Sequence, residues 1–188
     1  TFSGYGHRSR DFVRSLIEAK GDDWEIQILP QVWGSTPWGF LDKDDPLKSR
    51  LLPQLTQQPD IWIQITIPNE FQKIGKYSIG VTAGIESTFP PPDFVKGMNR
   101  MDLNLVSSNF TKDTFSNIQI TENDKDGKPI KTHKLERPIE VLLEGLDSKV
   151  YFKEPGKSDL LNNIDENFCF LFTGHWLPGK FGEDRKNV

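Results

Sequence analysis

Asp60-Ile61-Trp62-Ile63-Gln64-Ile65 is a mostly apolar run, and a strand built from it needs cover on both faces, as strands inside a parallel sheet do. Two more short strands are expected at Tyr77–Thr82 and Leu103–Val106, and Ile139–Leu143 returns to buried-strand character. Helical stretches separate them. Pro92–Met101 lies between the second and third runs, and Ser108 or Asn109 can cap a helix over Thr111–Phe115. Strands alternating with helices predict an α/β fold with a parallel, Rossmann-like doubly wound sheet. Such sheets bind ligands at the carboxyl ends of their strands.

Toward the amino terminus, Phe12, Val13, Leu16 and Ile17 recur at helical spacing between His7 and Lys20, and Gly21 comes next as a stop signal. Trp24–Leu29 alternates apolar and polar residues like a strand near a sheet edge. A Pro-, Gly- and Trp-rich loop runs from Pro30 to about Asp44. Asp45–Leu55 can form a helix, with Asp45 as N-cap and Pro46 at its first position. Between Ile118 and Lys134, the polar turn Asn123-Asp124-Lys125-Asp126-Gly127 separates two strand-like arms and predicts a β-hairpin insertion. The expected domains are residues 1–153, a polar linker over 154–166, and the start of a second domain over 167–188. Asn167–Thr173 is read as that domain's first strand, with Cys169 buried and inert.

The chain has 188 residues, 35% of them hydrophobic and 27% charged, the balance of a globular α/β domain with a proper core. Its apolar runs, such as Phe168–Phe172, fall far short of the roughly 20 residues that cross a bilayer. A net charge of −4 without a basic cluster gives no reason to expect nucleic acid. One cysteine allows no internal disulfide and no multi-cysteine metal site, which fits a reducing compartment. Both ends read as trimmed. A strand should lead into Gly4-Tyr5-Gly6, and the chain closes on Arg185-Lys186-Asn187-Val188 where a helix should start.

Four groups of residues could carry chemistry. Gly4-Tyr5-Gly6 stands before a helix, where glycines bring helix N–H groups close to an anion or a sugar hydroxyl; a tight strand-to-helix turn explains them equally well. Ile79–Thr88 is a strand ending in a small-residue loop that offers Glu86, Ser87 and Thr88, either to a polar substrate or to a close-packed crossover. His7, Arg8 and Arg10 crowd a helix N-terminus, where cations oppose the helix dipole. This arrangement invites an acidic partner or marks a solvated face. Arg185 and Lys186 at the last helix start could grip a diphosphate, though such a pair is more often simply solvated. Trp33 and Trp38 suit packing under their loop better than sugar stacking. Asn109-Phe110-Thr111 reads as a helix cap rather than a glycosylation site, and His133 as an ordinary surface residue.

Taken in order, these segments resemble the GT-B glycosyltransferases, in particular the large retaining family of sucrose, mannosyl and glycogen synthases. Gly4-Tyr5-Gly6-x-x-x-Arg10-x-Phe12 resembles that family's first glycine loop and helix. Met101-Asp102-Leu103-x-Leu105-Val106-x-Ser108-x-Phe110 is similar to its strand ending in a serine. Val141-Leu142-Leu143-Glu144-Gly145-Leu146-Asp147-x-x-x-Tyr151-Phe152 resembles the segment that closes its N-terminal domain. Phe172-Thr173-Gly174 followed by Asp184-Arg185-Lys186-Asn187 is similar to the opening of its donor domain.

The resemblance implies an acceptor-side N-terminal domain and transfer of a sugar from a nucleotide-diphosphate sugar to a carbohydrate or other hydroxyl acceptor. It also implies retention of configuration and no obligatory metal or other cofactor. Lys186, Arg185 and His175 would hold the donor diphosphate, with His175 standing where the family usually has arginine. Gly4, Tyr5, Gly6, Glu86 and Ser87 would line the acceptor side. No catalytic residue is assigned, because the family's paired glutamates would lie beyond Val188. The 188 residues alone are expected to be inactive. The protein is expected in the cytoplasm, or phage-encoded and acting in the host cytoplasm or on the particle. A homo-oligomer or larger assembly remains open, as does a second reading in which the domain is a non-catalytic structural or binding module. A dehydrogenase ranks low, since Leu29-Pro30 occupies the place of the acidic ribose ligand.

Overall fold

The computed structural model describes residues 3–31, 39, 41–85, 87–149, 151–153, 163–166 and 168–170. The chain falls into two compact units, Thr1–Leu146 and Asp147–Val188. The first is α/β. Its elements are α1 (Gly4–Lys20), β1 (Ile61–Ile65), β2 (Tyr77–Thr82), α2 (Pro92–Met98), β3 (Leu103–Val106), α3 (Asn109–Asn117), β4 (Ile120–Asn123), β5 (Pro129–His133) and β6 (Ile139–Val141). Four strands form a parallel sheet in the order β1-β2-β3-β6, and β4 pairs with β5 as the antiparallel hairpin expected from its turn.

Register explains how the sheet carries its core. Gln64, Gly80, Asn104 and Ile139 lie side by side across the four strands and therefore share a face. Phe71 lies on that row, and a Cβ at Gly80 would occupy the Phe71 ring. Around Phe71 gather Val95, Met98 and Met101, with Val106, Phe115, Ile120 and Ile139, all buried. On the opposite face Ile63, Ile65, Ile79, Leu103 and Leu105 are only half-buried, while Val81 is buried.

The crossover from β1 to β2 contains a 3-10 turn, Pro68–Glu70, and no α-helix. Its main chain is satisfied by side chains instead. Gln64 Nε2 donates to Glu70 O at 3.0 Å and Gln64 Oε1 accepts from Gln72 N at 2.8 Å. Arg100 donates from Nε to Phe71 O and from Nη2 to Asn69 O, each at 2.7 Å. The helix-free crossover is tolerated because these side chains answer its polar main-chain groups.

Several sequence expectations are corrected. The helix begins at Gly4, not His7, with Ser3 as N-cap, so the two glycines form its first turn rather than a loop before it. Trp24–Leu29 forms no strand; its one ladder contact is an isolated parallel bridge between Ile28 and Leu51. Asp45 does cap, accepting from Leu47 N, but it starts a 3-10 turn that ends at Arg50 rather than an α-helix. His133 is buried, its Nε2 3.1 Å from Glu122 Oε2, while Lys96 Nζ lies 2.6 Å from Glu122 Oε1 and ties α2 to the hairpin. Lys96 first, then His133, hold the Glu122 carboxyl below its ordinary range. In the second unit Asp147 accepts from Lys149 N and Tyr151 N. Residues 168–170 form no strand, and Cys169 is exposed rather than buried. Phe168 and Phe170 stack edge to face there at 5.1 Å.

The packing can be tested at two residues. Gly97 sits in α2 where a Cβ would fall on the Pro68 carbonyl, a main-chain contact that no rotamer change relieves. Gly97→Ala gains about 1 kcal/mol in helix propensity but incurs an overpacking cost of up to about 3 kcal/mol. The urea midpoint should fall with the slope unchanged. Asp102 is held below the ordinary carboxylate range, chiefly by Lys73 Nζ at 2.6 Å and next by the Ser78 N–H at 2.9 Å. A depressed folded pKa gives stability that is present above the unfolded value of about 3.9 and lost as pH falls through the folded one. Urea titrations between about pH 2 and pH 6 should therefore show an acid-induced loss that is smaller in Asp102→Asn.

Candidate functional site at the carboxyl edge of the sheet

The carboxyl edge is assembled from hydroxyls. Thr82 ends β2, and its buried Oγ1 lies 3.0 Å from the Tyr5 hydroxyl. Tyr5 OH also accepts from Ala83 N at 3.3 Å, and Thr82 Oγ1 accepts from Gly84 N at 3.2 Å. The first turn of α1 is thereby fixed onto the end of β2, 77 residues away in sequence. Gly84 adopts φ +86°, and a Cβ there would run into the Thr111 methyl. Both the conformation and the contact demand glycine.

The end of β3 joins the same edge. Ser107 Oγ and Thr111 Oγ1 each donate to Ala83 O at 3.4 Å. Ser108 caps α3, its Oγ accepting from Thr111 N at 3.1 Å. Beyond β6, Leu142 O accepts from Arg8 Nη2 at 3.2 Å, and Glu144 Oε1 lies 3.9 Å from Arg8 Nε. The first turn of α1 contains no acidic residue, so Glu144 and the Leu142 carbonyl supply the negative partner that the helix dipole denies Arg8. Arg10 is buried one turn further on, and burial, reinforced by Arg14, lowers its pKa.

Of the residues expected on the acceptor side, Gly4, Tyr5 and Gly6 stand at this edge. Ser87 is exposed, its Oγ 3.5 Å from Phe89 O within its own turn. Glu86, His175, Arg185 and Lys186 lie outside the described residues, as do Trp33 and Trp38. Ser107 was not singled out from sequence, nor was the pairing of Thr82 with Tyr5, whereas Arg8 was expected to draw an acidic partner and meets Glu144. A threonine at a strand end and a tyrosine between two glycines are the signals that could have paired Thr82 with Tyr5. Among the described residues no group of three or more His, Cys, Asp or Glu could hold a metal, and no helix is long and apolar enough to cross a membrane.

Comparisons with protein families, curated proteins and solved structures found no match to the chain.

Tyr5→Phe keeps the ring and removes the hydroxyl that joins α1 to β2. A stability loss of about 1 kcal/mol is expected from the lost hydrogen bonds. Amide exchange at Ala83 should accelerate, which NMR can track residue by residue.

Proposed function

We propose that this chain contributes the acceptor side of a GT-B, Rossmann-like glycosyltransferase that passes a sugar from a nucleotide-diphosphate sugar to a hydroxyl acceptor with retention. The observation that carries this reading is the Tyr5–Thr82 junction. It sets the first turn of a helix, with its two glycines, against the carboxyl end of a parallel strand, the place where open α/β sheets bind ligands. Hydroxyls of Tyr5, Thr82, Ser107 and Ser108 surround that point and match a polyhydroxyl acceptor in kind. The sequence resemblance supplies the donor side of the proposal. Lys186 and Arg185, with His175, hold the diphosphate and stabilise the charge that develops as the sugar leaves. Glu86 hydrogen-bonds an acceptor hydroxyl, and no obligatory metal is needed. Action in the cytoplasm, including that of a phage host, accords with this chemistry.

The test is calorimetry of the full-length natural protein with a panel of UDP-, GDP- and ADP-sugars, followed by assays of sugar transfer. One donor should bind, and Lys186→Ala should weaken it at least about tenfold, or roughly 1.4 kcal/mol. A panel with no binder, or a Lys186→Ala variant with unchanged binding and transfer, would sink the assignment. Binding without transfer would instead favour a non-catalytic binding module.

A further inference from the structure

Thr66 and Thr82 stand side by side at the carboxyl edge. The bond from Thr66 N to Val81 O, 3.1 Å long, carries the β1–β2 ladder one residue past Ile65. Paired strands lie about 4.8 Å apart, and alternation puts both threonines on the face of Gln64 and Gly80. Both are buried, at 1% and 3% exposure. A buried hydroxyl needs a partner, and each threonine has one on a residue nearer the surface. Thr82 Oγ1 lies 3.0 Å from the half-buried Tyr5 hydroxyl. Thr66 Oγ1 donates to Oε2 of the exposed Glu70 at 2.6 Å.

Glu70 is fixed at its main chain as well. Its N–H donates to Ile67 O at 3.1 Å, and its carbonyl accepts from Gln64 Nε2 at 3.0 Å. The turn is therefore closed without the carboxylate, which Thr66 holds in addition. No ion pair compensates it. Asp102, Glu122, Glu140 and Glu144 each face a lysine or arginine, whereas Glu70 enters none of the ion pairs among the described residues. The one hydrogen bond to its carboxylate among those residues is made at Oε2, which leaves Oε1 to a ligand.

We propose that Glu70 is the anionic end of a binding site for a neutral sugar at this edge, with Thr66 positioning its carboxylate. Sugar hydroxyls donate to a carboxylate, and such charge-assisted bonds are about twice as strong as neutral ones. The Tyr5 and Thr82 hydroxyls further along the row can donate and accept. A phosphorylated or carboxylated ligand would bring like charge to Glu70, so the row selects against anions. Thr66 and Tyr5 also line a cavity of about 990 Å³ between β1 and the Ile26–Leu29 segment, so the row borders free space on that flank. The choice of a sugar over another hydroxyl compound rests on the acceptor-side reading above, while the site itself rests on geometry.

The test is saturation-transfer NMR on the full-length natural protein with glucose, mannose and galactose, and with the 6-phosphate of each. At least one neutral sugar should bind, and Glu70→Gln should weaken it about tenfold. The matching 6-phosphate should bind more weakly than its sugar, and Glu70→Gln should narrow that gap. Thr66→Val should weaken binding in the natural sequence and add little in the Glu70→Gln background, as expected of a residue that acts through Glu70. Thr66→Ser keeps the hydroxyl and should keep the affinity. Absence of binding by all three sugars, unchanged affinity in Glu70→Gln, or full additivity of Thr66→Val with Glu70→Gln would overturn the proposal. The two readings fail separately. Sugar binding that depends on Glu70 in a protein that binds no nucleotide-sugar donor would leave this site and remove the transferase. Donor binding with a sugar affinity indifferent to Glu70 would do the reverse.

Discussion

A parallel strand bonds alternately to the left and to the right, so it satisfies its main chain only with a neighbour on each side. That constraint orders most of this structure. β2 and β3 have both neighbours. β1 has one, and the groups on its other flank face a cavity instead of water-exposed edge chemistry. The residues that should punish an edge position, Ile61, Ile63 and Ile65, sit there without the lysines, prolines or bulges that guard true edges. The same constraint explains the helix-free crossover from β1 to β2. Gln64 and Arg100 do with side chains what a helix would do with its own ladder, and this lets Phe71 descend onto Gly80.

At the carboxyl edge the governing quantity is charge. Three basic side chains near the amino end of α1, His7, Arg8 and Arg10, work against its dipole when charged. Arg8 is answered by a carbonyl and by Glu144 beyond β6, and Arg10 is buried. Glu144 has no evident purpose in the sequence, and its place opposite Arg8 gives it one. Because Arg8 reaches to the far side of the sheet, the last strand and the first helix are held together over 134 residues of intervening chain.

The parallel strands were legible because their apolar runs are short and closely spaced. Ser108 and Asp45 cap as expected, since capping depends on only a few consecutive residues. The hairpin was legible from its turn, where Gly127 adopts φ +79°. The expectations that failed depended on distant partners. Alternation in Trp24–Leu29 describes a strand near a sheet edge, which still needs a ladder to one neighbour, and the described residues provide a single bridge. His133 looked like surface because nothing nearby in sequence reveals that Glu122 and α2 close over it. Gly4 and Gly6 looked like a loop because glycine weakens helices. The Ser3 cap and the Tyr5 anchor outweigh that here.

The chemistry of the edge also bears on which half of a two-substrate reaction it would serve. A diphosphate site needs cations whose charge is uncommitted and main-chain N–H groups directed at the ligand. Arg8 is already engaged by Leu142 O and Glu144, and Glu144 would repel a second anion brought to the same point. The Thr82, Ser107 and Ser108 hydroxyls can both donate and accept, which suits a neutral, hydroxyl-rich molecule better than a phosphate. In the proposed transfer this edge would therefore meet the acceptor rather than the donor. The donor's charge would have to be met elsewhere, as the Lys186 and Arg185 assignment requires.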